Sequence, residues 1–346
     1  PFDDNQLTSR QTTYSFYVKD GWQAARNLTV SAGLRWDYFP LGARKSGGLG
    51  RYDFNTNVLS ICGAGDVPSD CGYHINQKNF SPRLGIAYRV SDSFVVRAGY
   101  GLNYDPYPLA FVRNLLSNYP NDLLLTVNPA NNFQTVATFK TGIPAVVTPD
   151  VNSGRITVPS AYQVRSLAEN YERGYIQSWN LSLQKEFGGG FIAQAAYVGT
   201  RQLKISQTLD LNAGQVLGAG RNGQPFFPKF GRTVQTALLT PVGRNQFDSL
   251  QTRLQRRFGS GVHLNAGYTF SKAIGICCDE LSDSLPAIQI PQFIRLARAL
   301  EPFDRPHNFN MTVVAELPFG KGKRWAKDGA LALLAGGWSV NGLLTS

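Results

Sequence analysis

The chain has 346 residues and a formal net charge of +11, long enough for one large β-domain or two ordinary domains. Charged residues are 16% and aromatic residues 12%, the former well under the roughly 25% of a soluble domain, while mean hydropathy is only −0.20. A helical membrane protein needs runs of about 18 or more apolar residues, and the longest candidate, around residues 330–335, is far too short. A nucleic-acid binder is disfavoured too, because the basic residues are spread singly, and the one dense group, Lys321, Lys323, Arg324 and Lys327, reads as a solvated turn.

In chain order, the dominant pattern is alternation with a period of two. A strand separates such rows completely, whereas a helix mixes them. Tyr14, Phe16, Val18 and Trp22 alternate with Ser15, Tyr17, Lys19 and Gly21. Leu28, Val30, Ala32, Leu34, Trp36 and Tyr38 alternate with Asn27, Thr29, Ser31, Gly33, Arg35 and Asp37. The same rows recur in residues 83–90, 94–103, 179–184, 250–255, 262–271 and 308–317, less cleanly in 191–200, and a last strand starts near Gly336. Residues 53–61 also look like a strand. Counting them as a spanning strand would upset the alternation of connection lengths, so they are expected as a hairpin inside the first long loop.

Soluble sheets alternate as well, but three features point to a membrane wall. The strands run to about ten residues, the span of a tilted membrane strand. Aromatic residues gather at strand ends: Trp22, Trp36, Tyr38, Tyr104, Tyr175, Phe187, Phe258, Phe270, Phe319 and Trp338, as in the girdles of outer-membrane barrels. Short connections (24–26, 91–93, 188–190, 259–261) alternate with long ones (40–79, 105–172, 206–244, 275–304), matching short periplasmic turns and long extracellular loops. The expectation is an all-β, transmembrane antiparallel β-barrel with nine complete spanning strands and a tenth beginning. The 320–335 stretch is an unusually long inside connection. Because an open edge cannot persist in lipid, and because Pro1 is not a natural start, the chain is expected to be an internal fragment of a longer barrel.

The polar rows carry Arg35, Arg83, Arg89, Arg97, Arg253 and Arg257. Facing a wet lumen their charge costs little, whereas on the lipid face each would cost roughly 2–4 kcal/mol at mid-depth. An inward ladder of cations could draw an anionic solute; the structural alternative is pairing with carboxylates of a plug or of the lumen. Cys62 and Cys71 sit in one outside loop, where a bridge is expected in an oxidising compartment, and the adjacent Cys277 and Cys278 are ambiguous.

Several blocks in order resemble the barrel of Oar-like TonB-dependent receptors: NFSPRLGIAYRVSDSFVVRAGYGLNYD (79–105), YIQSWNLSLQKEF (175–187), AAYVGTRQ (195–202), FDSLQTRLQRRFGSGVHLNAGYTFSKAI (247–274) and DRPHNFNMTVVAELPFGKGK (304–323). FYVKDGWQAARNLTVSAGLRWDYF (16–39) is similar to the hairpin that precedes them. The resemblance implies a plugged barrel of about twenty-two strands, of which this chain supplies about ten. It also implies uptake of a large or scarce solute driven by the TonB–ExbB–ExbD complex, with the plug and N-terminal regulatory-like domain outside residues 1–346. Some Oar-like proteins are tied to adhesion or surface organisation instead, and a soluble glycan-binding propeller or sandwich is the third reading.

Other motifs carry less. Gly218, Gly220 and Gly223 spell G-x-G-x-x-G in a loop rather than between a strand and a helix. Cys62, Cys71 and His74 lack a second ligand pair at zinc spacing, and His74, His263 and His307 belong to no hydrolase motif. Asp279, Glu280 and Asp283 read as a solvated acidic turn. No constellation for catalysis and no cofactor site is expected. Outer-membrane lipid, the TonB system and an external ligand are the expected partners; nucleic acid is not. The long loop 105–172, with Tyr107, Phe111 and Tyr119 offered for stacking, is the expected contact surface for an external ligand.

Overall fold

The computed structural model describes residues 10–42, 49–106, 115–121, 123, 131, 133, 135, 137–138, 140, 142, 148–256, 261–276 and 288–346. Its strands, in chain order, are β1 (Tyr14–Ala25), β2 (Leu28–Tyr38), β3 (Gly50–Asp53), β4 (Val58–Ile61), β5 (His74–Ile75), β6 (Asn79–Ser91), β7 (Phe94–Tyr104), β8 (Arg155–Thr157), β9 (Val164–Leu167), β10 (Asn170–Tyr171), β11 (Tyr175–Phe187), β12 (Phe191–Asp210), β13 (Thr236–Arg256), β14 (Val262–Ile276), β15 (Arg298–Leu300), β16 (His307–Glu316) and β17 (Ser339–Thr345).

Ten strands form one antiparallel meander in the order β1-β2-β6-β7-β11-β12-β13-β14-β16-β17. This is one curtain, neither a set of four-stranded blades nor two packed sheets, so the propeller and sandwich readings are set aside. β3 and β4 form the hairpin expected at residues 53–61, extended by β8. The register keeps the two rows apart across the whole curtain. Trp36 stands opposite Phe16 and Phe80, Leu181 opposite Ala98 and Tyr197, and Leu250 opposite Tyr197 and Phe270. That row leaves large apolar side chains such as Leu84, Leu181, Leu250 and Phe270 about half exposed, a face that lipid covers. At the long-loop end the same face carries Tyr14 against Tyr38 (6.1 Å), Phe16 against Trp36 (6.0 Å) and Tyr104 against Tyr175 (5.7 Å). At the other end the turns are tight. Between β11 and β12 the chain reverses through Gly188–Gly190, where φ is +75° at Gly189 and +76° at Gly190, values that exact a penalty from any residue with a Cβ.

The expected loop 206–244 is shorter than the alternation suggests, because β12 continues to Asp210 and β13 starts at Thr236. The reason is a change of surroundings. Register shifts flank Lys204, which takes a left-handed φ of +57°. Such a bulge resets which side chains face which way. Beyond it Ile205, Leu209, Ala237 and Leu239 are buried by protein instead of alternating toward lipid.

The burying protein is a folded cap built from the connections at the long-loop end. One core joins Leu49, Tyr73, Leu115, Leu116, Leu167, Tyr171 and Leu239 around the Cys62–Cys71 pair. These two cysteines are joined by a disulfide with a Cα–Cα distance of 4.9 Å. A second core holds Tyr52, Leu59, Ile61, Ile156, Val158 and Val164. Tyr119, offered by the sequence for stacking on an external ligand, is half-buried and packs on Tyr162 at 4.6 Å, at the second core's margin. Tyr107, Phe111, Cys277, Cys278, Asp279, Glu280 and Asp283 lie outside the described residues.

Arg232 ties the cap together. It is fully buried and donates to Asn57 Oδ1 (3.3 Å), Pro159 O (3.4 Å), Tyr162 O (2.6 Å) and Thr236 Oγ1 (3.2 Å), with Tyr52 beneath it at 5.5 Å. Burial lowers its pKa, opposed by the negative potential of Tyr52 and Asp210. Burial also raises the pKa of Tyr52. The four acceptors come from three connections, Pro159 and Tyr162 sharing one, so one guanidinium ties all three together.

Two outcomes follow. Arg232→Ala strands those buried acceptors and is expected to lower local cap stability by about 3 kcal/mol. Amide hydrogen exchange should then speed up in β3, β4, β8 and β9 while β11–β14 stay protected; unchanged exchange in the cap would contradict the keystone role. Leu181→Arg puts a charge on the apolar face and is expected to cost about 2–4 kcal/mol in urea titrations of the protein in lipid, whereas Asn180→Arg, on the opposite face, leaves the midpoint close to wild type.

Candidate functional site

The inner face of β1, β2 and β6 forms a basic groove of about 350 Å³. The register builds it. Gly33 on β2 stands between Lys19 on β1 and Arg83 on β6, and Arg35 stands between Tyr17 and Ser81. Ser31 and Gly85 continue the floor one step along. The two glycines leave the space open: a Cβ on Gly85 would lie 2.7 Å from Ser31 Oγ, and one on Gly33 3.3 Å from the Val18 carbonyl.

The cations differ in how they are held. Arg35 donates to the buried Asp37 at 2.7 Å and to Ser15 at 3.1 Å, so its charge is largely met. Arg83 donates to the neutral amide oxygen of Asn103 at 2.6 Å. Among the described residues no carboxylate lies within salt-bridge distance of Arg83 or Lys19. Three cations thus share one groove with a single carboxylate. Its rim is solvated, so added anions would meet positive potential without full desolvation.

Arg97 and Arg253 share this inward face but not the groove. Arg97 donates to Gln184 Oε1 at 2.8 Å and Arg253 to Asn265 Oδ1 at 2.7 Å. Between them Gln184 faces Gln194, and Gln194 faces Arg253, so a row of amides connects the two guanidiniums across β11 and β12. Arg89 reaches the Arg26 carbonyl at 3.2 Å, at the tight-turn end. Arg257 lies outside the described residues. Lys19 is the groove residue that the sequence reading did not single out. Its signal was its place in the polar row, two residues from Tyr17 and opposite a glycine.

The remaining motifs form no site. Gly220–Gly223 is one 3-10 turn, followed by the one-turn helix Phe227–Phe230, not the strand-to-helix junction a phosphate loop requires. The sulfurs of Cys62 and Cys71 are committed to each other. Among the described residues no three His, Cys, Asp or Glu side chains gather as metal ligands. His307 packs on Phe270 at 5.3 Å and meets the Tyr268 hydroxyl at 2.7 Å. Lys323 pairs with Glu316, and Arg324 lies over Trp325 at 5.4 Å, so that basic turn is tied to its own strand end.

A family model described as an outer membrane beta barrel domain matches residues 2–346. No curated protein matches the sequence. Among solved structures, the FrpB iron transporter from Neisseria meningitidis (F3-3 variant) is similar at 10% identity and a TM-score of 0.45, covering 89% of this chain and 31% of that one. The alcaligin outer-membrane receptor FauA from Bordetella pertussis is similar at 14% identity and a TM-score of 0.41, covering 97% and 37%. The outer membrane transporter YddB from Escherichia coli is similar at 14% identity and a TM-score of 0.43, covering 87% and 30%. The chain therefore spans about a third of the length of these structures.

The groove is testable by the chemistry of its lysine. In detergent-solubilised protein, inorganic phosphate is expected to slow amine labelling of Lys19, and Arg83→Ala or Gly85→Leu to remove that protection. Protection that survives Gly85→Leu would show that the anion sits elsewhere.

Proposed function

Because the chain belongs to the outer membrane beta barrel domain family, we propose that it forms part of the wall of an outer-membrane receptor for a large or scarce anionic solute. The observation that carries this reading is the state of the inward cations. Arg83, Arg97 and Arg253 are oriented by neutral amides, which fix a guanidinium without cancelling its charge. Arg35 alone of the inward arginines has a carboxylate partner among the described residues. The open edges at β1 and β17 are satisfied in this reading by further strands, since unpaired backbone groups are not tolerated in lipid. The resemblance to Oar-like TonB-dependent receptors supplies the rest. A plug and N-terminal region outside residues 1–346 would close the lumen and engage TonB–ExbB–ExbD, with the cap contacting the external ligand first.

Adhesion or surface organisation is the second reading. It is favoured by the cap itself, whose disulfide and twin cores make a rigid outer surface.

The test compares periplasmic extracts from cells carrying the wild-type protein, Arg83→Ala/Arg97→Ala/Arg253→Ala, or a deletion, profiled for anions by mass spectrometry. Anions lost on deletion are expected to fall about tenfold or more in the triple variant. Anion levels in the triple variant equal to wild type overturn the uptake reading. A deletion that loses no solute but abolishes cell–cell aggregation selects adhesion.

A further inference from the structure

The outward face carries a second basic site, at the long-loop end of β12, β13, β14 and β15. A cavity of about 390 Å³ is lined by Arg201, Arg244 and Arg298 together with Leu203, Asn245, Gln246 and Ile274. Register places all but Asn245 on the apolar, outward row. Arg201 is opposite Gln246 and Leu203 opposite Arg244. Gln246 is opposite Ile274, Ile274 is opposite Leu300, and Arg298 is opposite Ile276. One step toward the tight turns, Lys272 stands opposite Asp248.

Arg201 is braced in place. It pairs with Asp248 at 3.0 Å, donates to the Thr200 and Phe247 carbonyls at 2.9 and 3.2 Å, and lies over the Trp179 ring at 5.1 Å. The Tyr197 hydroxyl donates to the same Asp248 at 2.6 Å, so this carboxylate is already doubly used. Trp179 itself packs flat against Gly199, where a Cβ would come within 2.5 Å of the indole. Arg244, Arg298 and Lys272 are exposed, and among the described residues none has a carboxylate within salt-bridge distance. Four cations therefore face one carboxylate.

Depth decides what could neutralise them. Directly below, on the same face, Tyr197, Leu250, Tyr268 and Phe270 are 38–50% exposed and form the apolar band. Beside the arginines, Leu300 is 59% exposed on the outward row. A free anion would need none of this apolar surface. A lipid needs both, with chains along the band and an anionic headgroup at its upper edge. Arginine forks suit phosphate oxygens, and basic pockets at the membrane surface recognise anionic headgroups.

We propose that this cluster binds the phosphate of a phosphorylated glycolipid in the outer leaflet, with Arg244 and Arg298 as the principal ligands and Arg201 as the braced third. The site fixes the height and rotation of the wall in the membrane and lies where β13 enters the cap, beside the small core in which Ile294, just before β15, packs on Leu209 and Ile276. It rests on the outer-membrane placement given by the family and not on the uptake reading.

The experiment uses the full-length protein in detergent with lipid A from a Gram-negative source as the probe. Dephosphorylated lipid A and inorganic phosphate serve as comparison arms, and binding is followed by native mass spectrometry. Lipid A is expected to bind about tenfold or more tightly than its dephosphorylated form. Arg244→Gln/Arg298→Gln should erase that difference, Arg244→Lys/Arg298→Lys should restore part of it, and the inward Arg83→Gln should leave it intact. Equal binding of the two lipids, or full lipid A binding by the double glutamine variant with unchanged heat-modified mobility, overturns the proposal. Inorganic phosphate that displaces lipid A at equal concentration overturns the lipid as occupant and leaves a free-anion site.

Discussion

Backbone amides and carbonyls inside a lipid layer have no water to turn to, so each must find its partner in the neighbouring strand. Most of the architecture follows from this. Strands must be long, regular and paired on both sides, and the ten-strand meander delivers this everywhere except at β1 and β17. Once pairing is obligatory, the pleat sends alternate residues to opposite faces, and the register aligns them into continuous rows. Leu181, Tyr197, Leu250 and Phe270 form one such row, while Ser182, Ala196, Gln251 and Thr269 form the row behind it. Function is then divided by parity: even a single-residue slip would put Arg83 into lipid and Leu84 into the lumen.

The constraint lapses above the membrane, and the chain behaves differently there. The bulge at Lys204 marks the boundary. Below it, each strand needs only to alternate. Above it, β12 and β13 must pack against other connections, and β9 joins β13 in parallel, a pairing that the meander itself never uses. Arg232 can be buried there because it is surrounded by carbonyls and amide oxygens rather than hydrocarbon. A buried cation of this kind adds little net stability compared with an apolar replacement of similar shape. What it contributes is geometry: its fork matches acceptors from three connections at once and so specifies how they dock.

How much of this was legible in the sequence depended on the range of the interaction. The faces of β2, β6, β7, β14 and β16 could be read residue by residue, because a period of two is a local signal. The connection lengths yielded the direction of the wall, and parity alone placed residues 53–61 off the membrane. The groove was half legible. Arg35 and Arg83 stood out as charged members of polar rows, but Lys19 joined them only once the register set it opposite Gly33. The cap was not legible. Arg232 meets acceptors 175, 73 and 70 residues away in sequence, and no periodicity announces such contacts. The same holds for the contact of Tyr119 with Tyr162, 43 residues further along the chain.

The two basic sites show why charge alone says little about role. Arg83 and Arg201 are both arginines of one curtain, on β6 and β12, and composition cannot distinguish them. Parity places the first over a glycine floor facing the lumen and the second above an apolar band facing lipid. Their environments then suit the different anions proposed for them. The inward groove has a polar floor and one committed carboxylate, which suits the hydrated solute proposed for it. The outward cavity has leucine and isoleucine in its lining and aromatic residues beneath, which suits the proposed anion with hydrocarbon attached. Part of a net charge of +11 that first resembles a nucleic-acid signature thus sits on two separate surfaces. Each surface's chemistry is fixed by what lies two residues further along the strand.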